Sequence, residues 1–239
     1  MTLAGRTFTG IGRRGKYLLL GLDDGRTLVA HLRMTGRLLW RCGEAPAEQY
    51  ERARIVLDDG HHLRWSDLRK FGTWKVLESD AELAARLGPE PIDANFSFPT
   101  FKRIFAGRRA PVKAVLLDQR RMAGLGNIYV DEALFEAGIR PDSIAGDVSE
   151  AALRRLHASV RAVLERGIAH RGASFRNYVD GQGEPGEQHM YVQVFRRDGQ
   201  PCYWCGSIIE RSVVGGRGTH YCPRCQKRPR KRKRSHAAG

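Results

Sequence analysis

The most constraining stretch of this chain lies near its C-terminus. Cys202-Tyr-Trp-Cys205 and Cys222-Pro-Arg-Cys225 are two Cys-x-x-Cys pairs separated by residues 206–221, the spacing of a tetrahedral four-cysteine structural zinc site. Each pair makes a tight knuckle that aims two thiolates at one point. The spacer reads as a hairpin: residues 207–214 alternate loosely as a strand, Gly215-Gly216 turns the chain, and residues 218–221 return, which sets Arg217 at the tip. Two disulfides or four unrelated thiols are the alternatives, and no secretory signal precedes the motif to favour disulfides. The expected cofactor is one structural Zn2+ held by Cys202, Cys205, Cys222 and Cys225.

A finger of this kind needs a body to attach to, and the charge of that body is informative. Lys and Arg total 41 against 26 Asp and Glu, a formal charge of +15, which favours a polyanionic partner, most often nucleic acid. Residues 227–234 are all Lys or Arg except Pro229, but the rest of the chain is basic as well. No apolar run is long enough to span a bilayer, and no apolar signal core stands at the N-terminus. Cys42 has no obvious partner and reads as a free thiol in a reducing cytoplasm.

Before residue 78 the chain reads as strands. Residues 16–22 and 26–32 flank Asp23-Asp24-Gly25, and residues 53–57 and 61–65 flank Asp58-Asp59-Gly60; both are hairpin signals. Residues 71–77 form a further strand, so an antiparallel sandwich or barrel is expected. Ser79-Asp-Ala-Glu82 is a predicted capping box, and Gly88-Pro-Glu-Pro91 marks a boundary. The period then becomes helical. Short helices are predicted over 100–106 and 111–118, then a Gly-rich turn at Met122-Ala-Gly-Leu-Gly-Asn127 and a helix reaching Gly138. A longer helix follows the predicted cap Asp147-Val-Ser-Glu150, with Leu153, Leu156, Val160, Val163, Leu164 and Ile168 on its core face. Residues 171–193 form a long loop.

Several side chains in this frame invite chemistry. Gly124-Leu-Gly-Asn127 suits phosphate binding at a helix N-terminus, while plain capping by Asn127 explains it equally well. Met34, after His31-Leu-Arg33, is either core or an apolar wedge between bases. Arg69 and Phe71, in Asp67-Leu-Arg-Lys-Phe-Gly72, read as a surface arginine and a core phenylalanine unless context changes them. Lys16, after Arg13-Arg-Gly15, reads as a solvated charge.

Together these motifs resemble one family. Arg13-Arg-Gly-Lys-Tyr-Leu18, His31-Leu-Arg-Met-Thr-Gly36, Asp67-Leu-Arg-Lys-Phe-Gly72, Gly88-Pro-Glu-Pro91, Gly124-Leu-Gly-Asn-Ile-Tyr129 and the four-cysteine finger are similar, in order and spacing, to formamidopyrimidine-DNA glycosylases of the endonuclease VIII superfamily. The resemblance implies an α+β multidomain fold clamping double-stranded DNA: an antiparallel β-sandwich over 1–92, a helix–two-turn–helix domain with a lesion-capping loop over 93–198, a zinc finger over 199–226 and a basic disordered tail over 227–239. It implies a monomeric, cytoplasmic, nucleoid-associated repair enzyme that removes 8-oxoguanine and formamidopyrimidines and then cleaves the abasic site by β,δ-elimination. It also implies residue roles. Lys16 and Arg217 are implied in catalysis; Met34, Arg69 and Phe71 fill the void left by a flipped base; Asn127 and Arg217 clamp a phosphate; Tyr50 and Arg108 touch DNA. The loop from about 172 to 191 closes over the damaged base.

One departure from the family pattern stands out. The family opens on a proline nucleophile followed by a glutamate, whereas this chain opens Met-Thr-Leu-Ala-Gly-Arg-Thr-Phe8. The expectation is therefore that an N-terminal catalytic segment is missing from this polypeptide. A non-catalytic protein that binds damaged DNA is the alternative function.

Overall fold

The computed structural model describes residues 3–44, 46–175 and 177–228. Most of the expected tail, residues 229–239, lies outside the described residues. The chain divides into two compact units, residues 1–87 with 166–191, and residues 88–165 with 192–239. The long loop, which the sequence analysis groups with the helices, thus falls in the first unit.

Unit 1 is a two-sheet antiparallel sandwich. One sheet has the order β1 (Phe8–Arg14), β2 (Tyr17–Leu22), β3 (Thr27–His31), β7 (Thr73–Leu77); the other has the order β4 (Gly36–Cys42), β6 (His61–Asp67), β5 (Glu51–Val56). The Asp-Gly turns close as expected. The β2–β3 turn carries Gly25 at φ 85°, and the Asp24 and Asp59 carboxylates each accept the N–H two residues on, the local bond that makes Asp a turn former. Alternation then supplies the core: Leu20 and Leu28 from one sheet meet Leu63 from the other, with Leu38, Ile55, Trp74 and Val76 packed around them. A buried leucine of this kind contributes about 1.5–3 kcal/mol.

Unit 2 is helical and ends in the finger. It contains α2 (Phe98–Phe105), α3 (Val112–Leu117), α4 (Asn127–Glu136) and most of α5 (Glu150–Ala169), while the short α1 (Ala81–Arg86) precedes it in unit 1. Phe101, Phe105, Leu116, Leu125, Leu134, Leu156 and Val160 are fully enclosed in one core. The finger hairpin is β8 (Glu210–Val214) and β9 (Arg217–Tyr221), turned by Gly215 and Gly216 at φ 58° and 71°, as a type I′ turn requires.

Several local expectations are corrected. The Ser79–Glu82 capping box does not form, since Ser79 Oγ accepts the Ala81 N–H instead. At α5 the cap is Ser149, which takes the Ala152 N–H at 3.3 Å, rather than Asp147. Asn127 is the first residue of α4 and Gly126 is its cap. The apolar face of α5 is buried at Leu153, Leu156, Val160 and Val163, but Ile168 is exposed.

Candidate nucleic-acid interface

In unit 1 a buried aspartate assembles the site. Asp67 Oδ1 accepts the Thr35 hydroxyl at 2.5 Å and the Arg69 N–H at 3.2 Å, and Oδ2 accepts the Gly72 N–H at 2.7 Å. Burial pushes the Asp67 carboxyl up, but the Thr35 hydroxyl and the Gly72, Arg69 and Lys70 N–H groups more than offset it, leaving the group below the usual carboxylate range. One ionised side chain thus ties the turn before β4, which carries Met34, to the turn after β6, which carries Arg69 and Phe71. Met34 is 64% exposed and Phe71 54%. Both are therefore presented to solvent, and neither is core. Arg69 lies 4.6 Å over the Phe71 ring, a cation–π contact that orients two otherwise free side chains.

Neighbouring backbone is left-handed at three residues. Arg33, Tyr50 and Lys70 have φ of 53°, 62° and 58°, a region that costs a non-glycine residue about 1–3 kcal/mol. Tyr50 is held there by its carbonyl, which accepts the Asp67 N–H at 3.0 Å. Lys16 is exposed in the two-residue β1–β2 turn beside Gly15, and Arg13 donates to the Gly15 carbonyl at 2.8 Å. His31 stands near it. Its Nδ1 accepts the Arg33 N–H at 2.9 Å, and burial, with the charges of Arg33 and Lys16, lowers its pKa to about 4. His31 is therefore a neutral ring amid cations at pH 7.

In unit 2 Asn127 reaches the finger hairpin. Asn127 Nδ2 donates to the Gly218 carbonyl at 2.9 Å, one residue from exposed Arg217. The same carbonyl accepts the buried Lys113 ammonium at 2.9 Å, and Lys113 also meets Asp131 Oδ1 at 2.6 Å. Burial lowers the lysine pKa while Asp131 raises it, so the pair keeps its charges only together. Asp131 Oδ2 accepts the His220 N–H at 3.0 Å. The next residue, Glu132, accepts the N–H groups of Gln193, Val194 and Phe195 at 2.7, 3.0 and 2.9 Å. Two adjacent acids of α4 thereby fix both the finger hairpin and the segment leading into it. The Gly-rich turn is stapled by Gln119, whose Nε2 donates to Leu117 and Leu125 carbonyls and whose Oε1 takes the Gly124 N–H. The Gly124 N–H is thus already used, and the phosphate-binding part of the motif reduces to the first turn of α4. Arg108 follows α2 and donates Nε to the Ile104 carbonyl at 2.6 Å.

The four cysteine sulfurs lie within 4.8 Å of one another, with Cys202–Cys225 at 3.9 Å and Cys205–Cys222 at 3.4 Å. Tetrahedral Zn–S bonds of about 2.3 Å place sulfurs about 3.8 Å apart, so the donor set fits zinc. Burial pushes the Cys222 and Cys225 thiols up, while bonds from Ser207 lower Cys205 to about 6; four thiolates this close require a cation. Gln226 braces the second knuckle, taking the Cys222 N–H and donating to the Ile139 carbonyl.

Sequence reasoning missed Thr35, His31, Lys113, Asp131, Glu132 and Gln119. Asp67 alone had a usable signal, an Asp two residues before a turn position.

A β-sandwich, a helix–two-turn–helix core and a four-cysteine finger define a zinc-stapled, multidomain α+β protein of the DNA-glycosylase type. Family models match in three places: the formamidopyrimidine-DNA glycosylase N-terminal domain over residues 1–74, its H2TH domain over 87–178, and the zinc finger found in FPG and IleRS over 199–228. The chain is 52% identical over 221 residues to formamidopyrimidine-DNA glycosylase of Gloeobacter violaceus, covering 90% of this chain and 78% of that one. It is 47% identical over 232 residues to that of Heliobacterium modesticaldum, covering 94% and 84%. Lactococcus lactis Fpg in complex with DNA containing an abasic site superposes with TM-score 0.88 at 37% identity, covering 95% of this chain and 84% of that one. MutM in complex with carbocyclic 8-oxo-G DNA gives 0.87 at 36%, with the same coverage. The chain belongs to the formamidopyrimidine-DNA glycosylase family, whose members are DNA glycosylases of base-excision repair. The N-terminal-domain model is matched from residue 1, so the expectation of a missing N-terminal segment finds no support.

Proposed function

We propose that this chain binds double-stranded DNA, excises 8-oxoguanine and formamidopyrimidines, and cleaves the resulting abasic site by β,δ-elimination. The observation that carries the reading is the Asp67–Thr35 linkage, which presents Met34, Arg69 and Phe71 as one exposed group. A glycosidic bond inside a duplex is reachable only after the nucleotide is flipped out, and an apolar residue with an arginine and an aromatic can fill the hole that remains. The +15 charge suits a phosphate partner and makes binding fall steeply with salt.

We assign the roles as the family resemblance implies them. Lys16, exposed in its turn, is the amine: its attack on sugar C1′ expels the damaged base, the sugar is then held on it as a C1′ imine, and loss of a C2′ proton breaks the C3′–O bond. Arg217, at the finger hairpin, assists the second, δ-elimination, which breaks the C5′–O bond. Asn127 keeps one amide N–H after bonding Gly218, and with Arg217 it clamps a phosphate; Tyr50 and Arg108 make further DNA contacts. Residues 1–92 carry Lys16 and the void-filling group, 93–198 carry the lesion-capping loop with Asn127 and Arg108, and 199–226 carry Arg217, in a monomer of the cytoplasm and nucleoid. Among the described residues no helix is long and apolar enough to cross a membrane.

The deciding experiment is borohydride trapping on a duplex carrying 8-oxoguanine opposite cytosine, alongside binding to the same duplex. A covalent protein–DNA adduct that survives denaturation only when the reductant is present is the expected result. Tight binding with neither adduct nor strand cleavage would replace the enzyme reading with a damaged-DNA-binding one.

A further inference from the structure

The segment after α5 is built as a flap. Its stem closes where Ala173 and Glu187 pair as an antiparallel bridge, with the Glu187 N–H on the His170 carbonyl at 2.8 Å and the Gln188 N–H on that of Gly172 at 2.9 Å. The tip braces itself. Asp180 Oδ1 accepts the Gln182 and Glu184 N–H groups, both at 2.9 Å, and Ser174 Oγ joins the Tyr178 carbonyl to the Gly186 N–H.

The tip rests on β4, an edge of the three-stranded sheet. An edge strand offers outward N–H groups that need partners, and here the flap supplies one: the Trp40 N–H donates to the Gly181 carbonyl at 2.7 Å. Two arginines of the same strand reinforce it. Arg37 Nε donates to the Asn177 carbonyl at 2.9 Å and Arg41 to that of Gln182 at 3.0 Å, while Glu48 fixes the Arg41 fork at 2.7 Å. Every acceptor is a backbone carbonyl, so the dock depends on the path of the flap and not on its side chains. Gly183 follows this path at φ +95°, with the Arg41 guanidinium 3.1 Å from where a Cβ would stand.

We propose that Arg37, Arg41 and the Trp40 amide are a latch that holds the flap on the β4 edge, and that the two arginines are positioning residues for base excision. Arg37 follows Gly36, which pairs with Asp67, and stands three residues after Met34. Docking at Asn177 therefore ties the flap to the strand that leads directly out of the Met34 turn, and Met34 belongs to the group that would fill the hole a flipped base leaves behind. The latch is a property of the free chain; only its effect on excision rests on the glycosylase reading.

The test compares the full chain with R37A/R41A and with G183A, which attack the latch from opposite sides. Hydrogen exchange at the Trp40 amide is expected to quicken at least about tenfold in both, with β6 protection unchanged as the sign of an intact fold. Single-turnover excision of 8-oxoguanine is expected to slow about tenfold, while cleavage of a pre-formed abasic site, which has no base to cover, stays within about twofold. Unchanged Trp40 exchange in both variants overturns the latch whatever the activity. Faster exchange with equal effects on both substrates overturns its link to excision. An unmodified chain inactive on both substrates sinks the glycosylase reading, and the exchange data then decide the latch alone.

Discussion

At His31 the ring nitrogen that accepts the Arg33 N–H cannot also hold a proton, and cations surround the rest of the ring. Its pKa of about 4 in the folded chain lies below the ordinary 6.5, so between those values the unfolded chain binds more protons. Stability is then full above about pH 6.5 and falls as pH drops toward 4. Urea denaturation across that range is expected to show the loss, and H31Q is expected to flatten it. A slope that H31Q leaves unchanged would assign the acid sensitivity elsewhere. Asp67 works differently: it stays charged because four donors compete with burial. The left-handed residues Arg33, Tyr50 and Lys70 each sit at or beside a proposed DNA contact, whereas Arg171, also left-handed, stands at the start of the flap.

Among the elements, α4 is the one whose role was least legible. The four cysteines, the Asp-Gly turns and the helical period are local patterns, and local patterns survive in sequence; hence the sandwich, the helices and the finger were readable. Asp131-Glu132 reads locally as a solvent-facing acidic pair, and only the tertiary partners Lys113, His220 and residues 193–195 make it a buried anchor. Thr35 is equally mute, because its partner Asp67 lies at the end of β6, 32 positions away. Ile168 fails for the opposite reason: periodicity marks a face, not where along the helix its cover ends. Breaking the anchor gives a measurable result. Lys113→Met leaves a buried carboxylate unpaired and is expected to cost about 3–5 kcal/mol in urea unfolding, and K113M/D131N is expected to recover part of that loss. If the double variant is no better than the single, the pair is not acting as a charge pair.

For the whole molecule, metal dependence should be confined to one region. Structural zinc contributes about 10–16 kcal/mol in isolated finger peptides at pH 7, and here the knuckles are bound to α4 and Ile139 as well. Chelation is expected to make the four cysteines reactive to thiol reagents and to raise exchange over 199–228, while the β-sandwich keeps its protection. Equal loss in both regions would contradict this division. The interleaving of the units has a consequence for how the protein is made. The partners Arg37 and Asn177 are 140 positions apart, so the three-stranded sheet can form on the ribosome long before its flap exists. At 5–20 residues per second, the β4 edge waits roughly seven to thirty seconds before the flap is made. During biosynthesis that edge is open to pairing with the wrong strand until the flap arrives.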